Sequence, residues 1–286
     1  MRLSHLLCAA FLGSLLVVGC QQTTTPPPAS EKAPDGVLPD TFALASTADS
    51  IAFRMYRAHG AAGWNVVPYL RFSFGVGRGD TSQVVAQHLW NKETGAYRVE
   101  WDVAPESTLV ALFDVDEVSN GLPTTGAVYG NGEPVDSARA DSLLRVAYQR
   151  FINDSYWLLA PLKVFDEGVQ RTYVPDSSTS EHAVIRLSFG DVGLTPGDRY
   201  WLYVDRATGL LDRWAFHLQG MPDTAAARAF DWTQTQPLET SKGPVLLSTR
   251  KEAAQGNMAI VFSDLSLPDS VGQSLFSAPA PWMVSR

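Results

Sequence analysis

The side chains able to do chemistry are few and scattered. His59, His88, His182 and His217 lie in separate segments without the close spacing of a metal-ligand motif, so they meet only if the fold brings them together. Pairing on a surface or between strands is the expected role of the last three. His59, at a predicted helix end, is expected to satisfy a carbonyl or to stack on Trp64. Asp114, Asp116 and Glu117 form an acidic cluster, but Val118 stands where an EF-hand loop needs a ligand and the glycine is displaced to Gly121, so solvated loop charge is the better reading. Gly75-Val76-Gly77-Arg78-Gly79 runs from one strand-like segment into another without opening a helix, which suits a hairpin rather than a phosphate cradle. The tripeptide Arg78-Gly79-Asp80 is read as a chance match to an adhesion motif. HExxH, CxxC, Walker A and G-x-S-x-G patterns are missing. No catalytic residue, metal site or cofactor is expected, and a hydrolase would require the fold to pair a histidine with a serine and a carboxylate.

Cys20 carries the one strong chemical signal. Leu6 to Gly19 is apolar, follows Met1-Arg2, and is too short to span a membrane as a helix, so residues 1–19 read as a secretory signal. Val17-Val18-Gly19-Cys20 resembles the lipobox of bacterial lipoproteins. That resemblance implies a diacylglycerol on the Cys20 thiol, cleavage before Cys20 and acylation of the new amino group. Cys8 falls in the removed segment, so the mature chain has no cysteine pair for a disulfide. Two or three acyl chains, at roughly 0.8 kcal/mol per buried methylene, hold a protein stably on a membrane. With Gln21 rather than Asp after the cysteine, the expected address is the bacterial envelope, anchored in the outer membrane and facing the periplasm.

The elements that would position a site come next. At 286 residues, 45% hydrophobic and 18% charged, the chain can bury a sizeable core in one β-rich domain. Loss of the signal removes only Arg2 from 22 basic residues, against 30 acidic, which takes the formal charge from −8 to about −9 and argues against a nucleic-acid partner. Residues 20–44 hold the lipidated cysteine and a Thr/Pro-rich tether, and residues 45–286 the single domain.

Within that domain the central stretch is Ala183 to Leu218, read as three antiparallel strands. Asp205-Arg206-Ala207-Thr208-Gly209 suits a loop closed by Gly209 in the left-handed region, which pairs Asp205 with Leu210. Counting back from that pair places Trp201, Tyr203, Trp214 and Phe216 on one face, and Tyr200, Leu202, Val204, Leu211 and Ala215 on the other. Apolar residues on both faces call for a cover on at least one.

Before that stretch, Ser46 to His59 reads as a helix capped by Ser46 or Asp49 and stopped at Gly60. Strand-like segments follow near Leu70 to Val76, Gln83 to Trp90, Tyr97 to Trp101 and Leu109 to Phe113, as one meander. Asp136 to Phe151 has helical spacing, and Asp154-Ser155 is expected to cap a second short turn ending near Pro161. These helices stand between two meanders and can lie across the sheet as a flap, or simply complete a packed core. Toward the C-terminus, strands are expected at Phe230 to Trp232, Val245 to Thr249 and Met258 to Leu265, with a short helix over Ala225 to Phe230.

With the meanders, the helical flap and the terminal Phe276-Ser277-Ala278-Pro279 in place, the domain resembles the open β-barrel of the LolA/LolB lipoprotein carriers. It resembles more closely a family of uncharacterised bacterial lipoproteins, through Ala58-His59-Gly60 with Trp64, Ser155-Tyr156-Trp157-Leu158-Leu159-Ala160-Pro161, and Ser188-Phe189-Gly190-Asp191 through Gly197-Asp198-Arg199-Tyr200. The resemblance implies a mainly antiparallel β fold with helices (α+β): a curved half-barrel whose concave side and lid enclose an apolar cavity for acyl chains. No catalytic residue comes with it. Cavity residues are then expected to be Leu143, Leu144, Ala147, Tyr148, Phe151, Trp157, Trp201, Tyr203, Trp214 and Phe216, with the opposite face of the sheet as the alternative floor. A carrier that shuttles through the periplasm is not lipidated, so an anchor at Cys20 implies a stationary binder or acceptor. The expected function is a non-catalytic, membrane-anchored module binding a lipid or other apolar ligand. A scaffold with a filled core, contacting an envelope protein through a loop around Leu194, is the alternative, and a hydrolase the third.

Overall fold

The computed structural model describes residues 44–79, 81–190 and 194–282. The expected signal, the expected lipidation site Cys20 and the tether up to residue 43 lie outside these, as do Asp80 and Asp191. The described chain begins with helix α1 (Thr47–Ala58), capped as expected by Ser46, whose Oγ accepts the Asp49 N–H at 3.1 Å. Gly60 ends it at φ +84°, in a spot where a Cβ would lie 2.0 Å from the Pro244 carbonyl oxygen. A single turn, α2 (Ala61–Trp64), follows.

A first meander comprises β1 (Tyr69–Arg78), β2 (Thr81–Asn91), β3 (Ala96–Ala104), β4 (Ser107–Asp114), the small hairpin β5 (Val118–Ser119) and β6 (Leu122–Pro123), then β7 (Gly126–Gly130) and β8 (Glu133–Pro134). Helix α3 (Ser137–Leu159) intervenes. The second meander runs through β9 (Val169–Tyr173), β10 (His182–Phe189), β11 (Arg199–Asp205), β12 (Leu211–His217), β13 (Arg228–Leu238), β14 (Val245–Ala253) and β15 (Met258–Ser266). All but β5 and β6 join one antiparallel sheet in the order β8-β7-β4-β3-β2-β1-β15-β14-β13-β12-β11-β10-β9. Strands β1 and β15 pair at its centre and weld the meanders together.

This topology explains α3. Strand β8 ends at one edge of the sheet and β9 starts at the other, so the connection must cross the whole sheet. The 23 residues of α3 span about 34 Å at 1.5 Å per residue and carry the larger part of that crossing. Its first half buries Leu144, Ala147 and Phe151 against Tyr97, Val99, Trp101 and Phe113 of the first meander. Its last turns bury Leu158 and Leu159 against α1 and the second meander. The core therefore lies on one face of an open curved sheet, beneath one long helix.

Three local expectations are corrected. Asp154-Ser155 does not cap a second turn: α3 runs unbroken to Leu159, and both residues are buried. The expected helix over Ala225 to Phe230 is a turn leading into β13, where Phe230 pairs across the sheet with Trp214. The third correction concerns β11 and β12. Asp205 and Leu210 do pair, the Asp205 N–H reaching the Leu210 carbonyl at 2.9 Å, and Gly209 has φ +83°. Beyond them Val204 faces Leu211 while Tyr203 faces Arg213, so Asp212 is an extra residue on β12. A one-residue slip inverts every later side chain. Trp214 and Phe216 thus share the core face with Tyr200, Leu202 and Val204, while Trp201 and Tyr203 stand on the other side.

On that outer side, the terminal segment is strapped across the sheet. Arg98 and Glu100, both fully buried, pair at 2.6 Å. Arg98 also donates to the carbonyls of Leu275, Ala278 and Ala280, and Glu100 accepts the Trp282 N–H at 3.0 Å. The Phe276-Ser277-Ala278-Pro279 segment singled out in the sequence is the middle of this strap.

Candidate functional site

The interface between α3 and the sheet holds the densest set of aromatic and polar side chains, and β strands of both meanders contribute to it. Alternation along β12 and β13 places Trp214, Phe216, Phe230 and Trp232 on the core face. On α3, Trp157 lies edge-on to Trp214 at 4.5 Å between ring centroids and to Phe230 at 4.9 Å, and Tyr156 meets Tyr200 at 5.5 Å and Trp214 at 5.9 Å. Tyr156, Trp157, Phe189 and Tyr200 remain half-buried, so this end of the interface reaches the surface.

Of the residues expected to line a cavity, Leu143, Leu144, Ala147, Tyr148, Phe151, Trp157, Trp214 and Phe216 all lie in this interface. Trp201 and Tyr203 do not, for the reason given by the bulge at Asp212. The rings fill the space between helix and sheet. Two open clefts, of about 440 Å³ beside Arg71 and Asp264 and about 370 Å³ beside Leu112 and Phe276, lie elsewhere, and neither includes a residue of α3.

A buried polar chain pins α3, near its C-terminal end, to the first meander. His88 on β2 is fully buried and stacks on Phe72 at 4.4 Å. Its Nε2 lies 3.1 Å from the Asp154 carboxylate, and its Nδ1 lies 2.9 Å from the Tyr97 hydroxyl. A neutral ring satisfies both contacts when Nε2–H donates to Asp154 and Tyr97 donates to Nδ1. Burial lowers the His88 pKa, with Asp154 opposing that shift, and burial raises Tyr97 well above the usual phenol range. The carboxylate, imidazole and hydroxyl stand in the order of a hydrolytic relay. The hydroxyl, however, is a phenol, both ring nitrogens are engaged, and the group has no exposure through which a substrate would reach it. Its arrangement suits a latch rather than a general base.

The other histidines do the pairing expected of them. His59 Nδ1 donates to the Leu246 carbonyl at 2.8 Å and its Nε2 accepts the Leu211 N–H at 3.1 Å, satisfying a carbonyl and not stacking on Trp64. His217 bridges the Pro222 carbonyl and Arg199. His182 sits 3.0 Å from Asp212 with Asp205 nearby, a grouping that the sequence spacing did not disclose. Asp205 there already accepts from the N–H groups of Ala207 and Thr208, so it serves its own turn. Asp114 likewise accepts the Asp116 N–H, and Glu117 the Thr125 hydroxyl.

Sequence reasoning missed two features of the interface. The first is a set of buried donors without a protein partner: Trp214 Nε1, Trp232 Nε1, the Tyr156 hydroxyl, Trp90 Nε1 and Arg150 Nε. The second is Lys251 on β14, which is wholly buried on the core face beneath rings of Trp232 and Phe262. A signal for Lys251 existed. Counting by twos from the apolar Val245 and Leu247 lands on it.

No protein-family model matches the sequence, and no curated protein matches it. Among solved structures, the chain is similar to a DUF1329 family protein from Desulfovibrio piger, with a TM-score of 0.43 and 9% identity over 79% of this chain and 94% of that one. It is similar to a LolA superfamily protein from Nitrosomonas europaea at a TM-score of 0.43 and 12% identity, over 81% of this chain and 98% of that one. A domain described as outer membrane lipoprotein-sorting, from Vibrio parahaemolyticus, matches at 0.35 and 9% identity, over 79% and 94%. These likenesses concern the course of the chain, and the functional reading below is taken from the side chains.

Proposed function

We propose that this protein is an envelope lipoprotein, anchored through Cys20, that binds the acyl chain of a lipid between α3 and the aromatic face of the sheet and catalyses no reaction. The observation that carries the proposal is the quality of that interface. It is rich in large apolar rings, yet it leaves the Tyr156 hydroxyl and the indole N–H groups of Trp214 and Trp232 without protein acceptors. A buried donor left unmade costs about 1–3 kcal/mol. A helix whose only purpose was to seal a core would not be expected to keep three such donors side by side. An interface of this kind is prepared to part, with α3 lifting at the half-exposed end marked by Tyr156 and Trp157, so that an acyl chain replaces helix contacts with contacts of its own.

The test is titration of the delipidated protein with a fluorescent fatty acid, beside native mass spectrometry of protein purified from cells. Saturable binding at one site, or a copurified lipid, supports the reading. Absence of both ends it.

The filling of the helix-sheet space by side chains favours a second reading, a scaffold that contacts another envelope protein. Leu194 is exposed, although its side chain also lies over Gly121 of its own chain, where a Cβ would come within 2.7 Å. Crosslinking in cells that recovers a stoichiometric protein partner, with no lipid bound, would favour this second reading.

A further inference from the structure

Lys251 is the most anomalous residue of the interior. Lysine is almost never fully buried without a paired charge, and among the described residues buried Arg98 has Glu100 and the buried Asp154 carboxylate has His88. Lys251 has no carboxylate partner among the described residues. Its Nζ donates to the Ser248 carbonyl and lies 4.5 Å from the ring centroid of Trp232 and 4.2 Å from that of Phe262. One of the three ammonium hydrogens is used, and aromatic faces receive the rest.

The anomaly does not stand alone. Lys251 pairs across the sheet with Trp232, whose Nε1 has no acceptor. Trp232 meets Trp214 at 5.4 Å, and Trp214 Nε1 has none either. Trp214 meets Tyr156 of α3 at 5.9 Å, whose hydroxyl also lacks a partner. The row from β14 through β13 and β12 to the helix thus presents an amine, two indole N–H groups and a hydroxyl in an apolar setting, and among the described residues their one hydrogen bond is that of Lys251 to the Ser248 carbonyl. Donors gathered in this way select a ligand group that only accepts, and a cation among them selects an anion.

We infer that Lys251, with Trp232 beside it, receives the oxyanion head of a single-chain amphiphile, a carboxylate or a phosphate, whose acyl chain lies among Trp214, Phe216, Trp157 and Phe230. The inference rests on α3 acting as a lid, and it adds the ligand's head group and orientation. Head-first entry beneath the lid separates this site from a surface basic patch, because the head group reaches the cation only by passing the apolar rings. Burial alone drives the Lys251 pKa well below its usual value, in keeping with a site whose counter-charge is supplied by the ligand.

The test measures binding of dodecanoate, dodecanoyl lysophosphatidic acid and dodecanol to the delipidated protein and to Lys251→Met and Trp232→Phe. The wild type should prefer the anionic amphiphiles over dodecanol by at least about tenfold, as a desolvated charge-assisted pair does. The tighter of the two anions identifies the head group as carboxylate or phosphate. Lys251→Met should lose that preference while still binding dodecanol, and Trp232→Phe should weaken anion binding by a few-fold with dodecanol unchanged. Equal binding of all three ligands by the wild type, or a preference that survives Lys251→Met, overturns the role of Lys251 and leaves the lid intact. Absence of binding by all three overturns both.

Discussion

The Asp154 carboxylate on α3 lies 3.1 Å from Nε2 of His88 on β2, in a part of the protein closed to solvent. The two residues are 66 positions apart in the chain. Their contact separates the longer part of α3, packed on the first meander, from its C-terminal end, where Leu158 and Leu159 pack on α1 and the second meander.

Asp154→Ala leaves the His88 Nε2–H and the surrounding cavity unsatisfied. It should destabilise the protein by about 2–3 kcal/mol in urea denaturation. Hydrogen exchange should quicken along residues 137–159 more than along β11 and β12. Uniform quickening over the whole sheet would show that the contact is not a latch on the helix.

Stability should fall on mild acidification. Burial, with a smaller effect from Lys251, lowers His59 from 6.5 to about 4, and burial also lowers His88. The unfolded chain therefore takes up protons first. The contribution of His59 is complete above the unfolded value of 6.5 and is lost as the pH falls toward 4, accounting for about 3 kcal/mol across that window, and His88 acts in the same direction. Urea midpoints measured at both ends of the window should differ, and the difference should shrink in His59→Gln. Equal midpoints would contradict the buried neutral imidazole.

The bulge at Asp212 makes a paired prediction. Trp214→Ala opens a cavity under α3 and should cost about 3–5 kcal/mol, while Trp201→Ala, on the outer side, should cost less than about half of that. Equal losses would restore the unbulged register.

Lys251→Met removes a buried amine whose one hydrogen bond among the described residues is to the Ser248 carbonyl. The variant should be more stable than the wild type by about 1–3 kcal/mol, because a lone buried charge or amine is replaced by a side chain of similar shape. A thermal or urea melt decides this. Loss of stability would mean that the amine contributes to the fold itself.

Much of this architecture can be read from the chain. The strands of both meanders follow from alternation of apolar residues, as in Leu70, Phe72 and Phe74, and α3 follows from the spacing of Leu144, Ala147 and Phe151. The loop at Gly209 was legible from turn chemistry alone. The sides of β11 were not, because Asp212 looks like any exposed strand residue and a single insertion inverts the faces beyond it. Asp154 was misread because an acidic residue beside a serine resembles a helix cap, and the partner that explains it is distant in sequence. The row of orphaned donors needed the pairing of β12, β13 and β14, which no local pattern contains.

The central claim concerns where an acyl chain lies. A dodecanoate analogue bearing a diazirine near its methyl end, photolysed on the delipidated protein and mapped by peptide mass spectrometry, reads this directly. The account predicts labels on Tyr156, Trp157, Trp214, Phe216 or Phe230, suppressed by excess dodecanoate. Labels confined to Trp201, Tyr203 or the clefts beside Arg71 and Phe276 would contradict it.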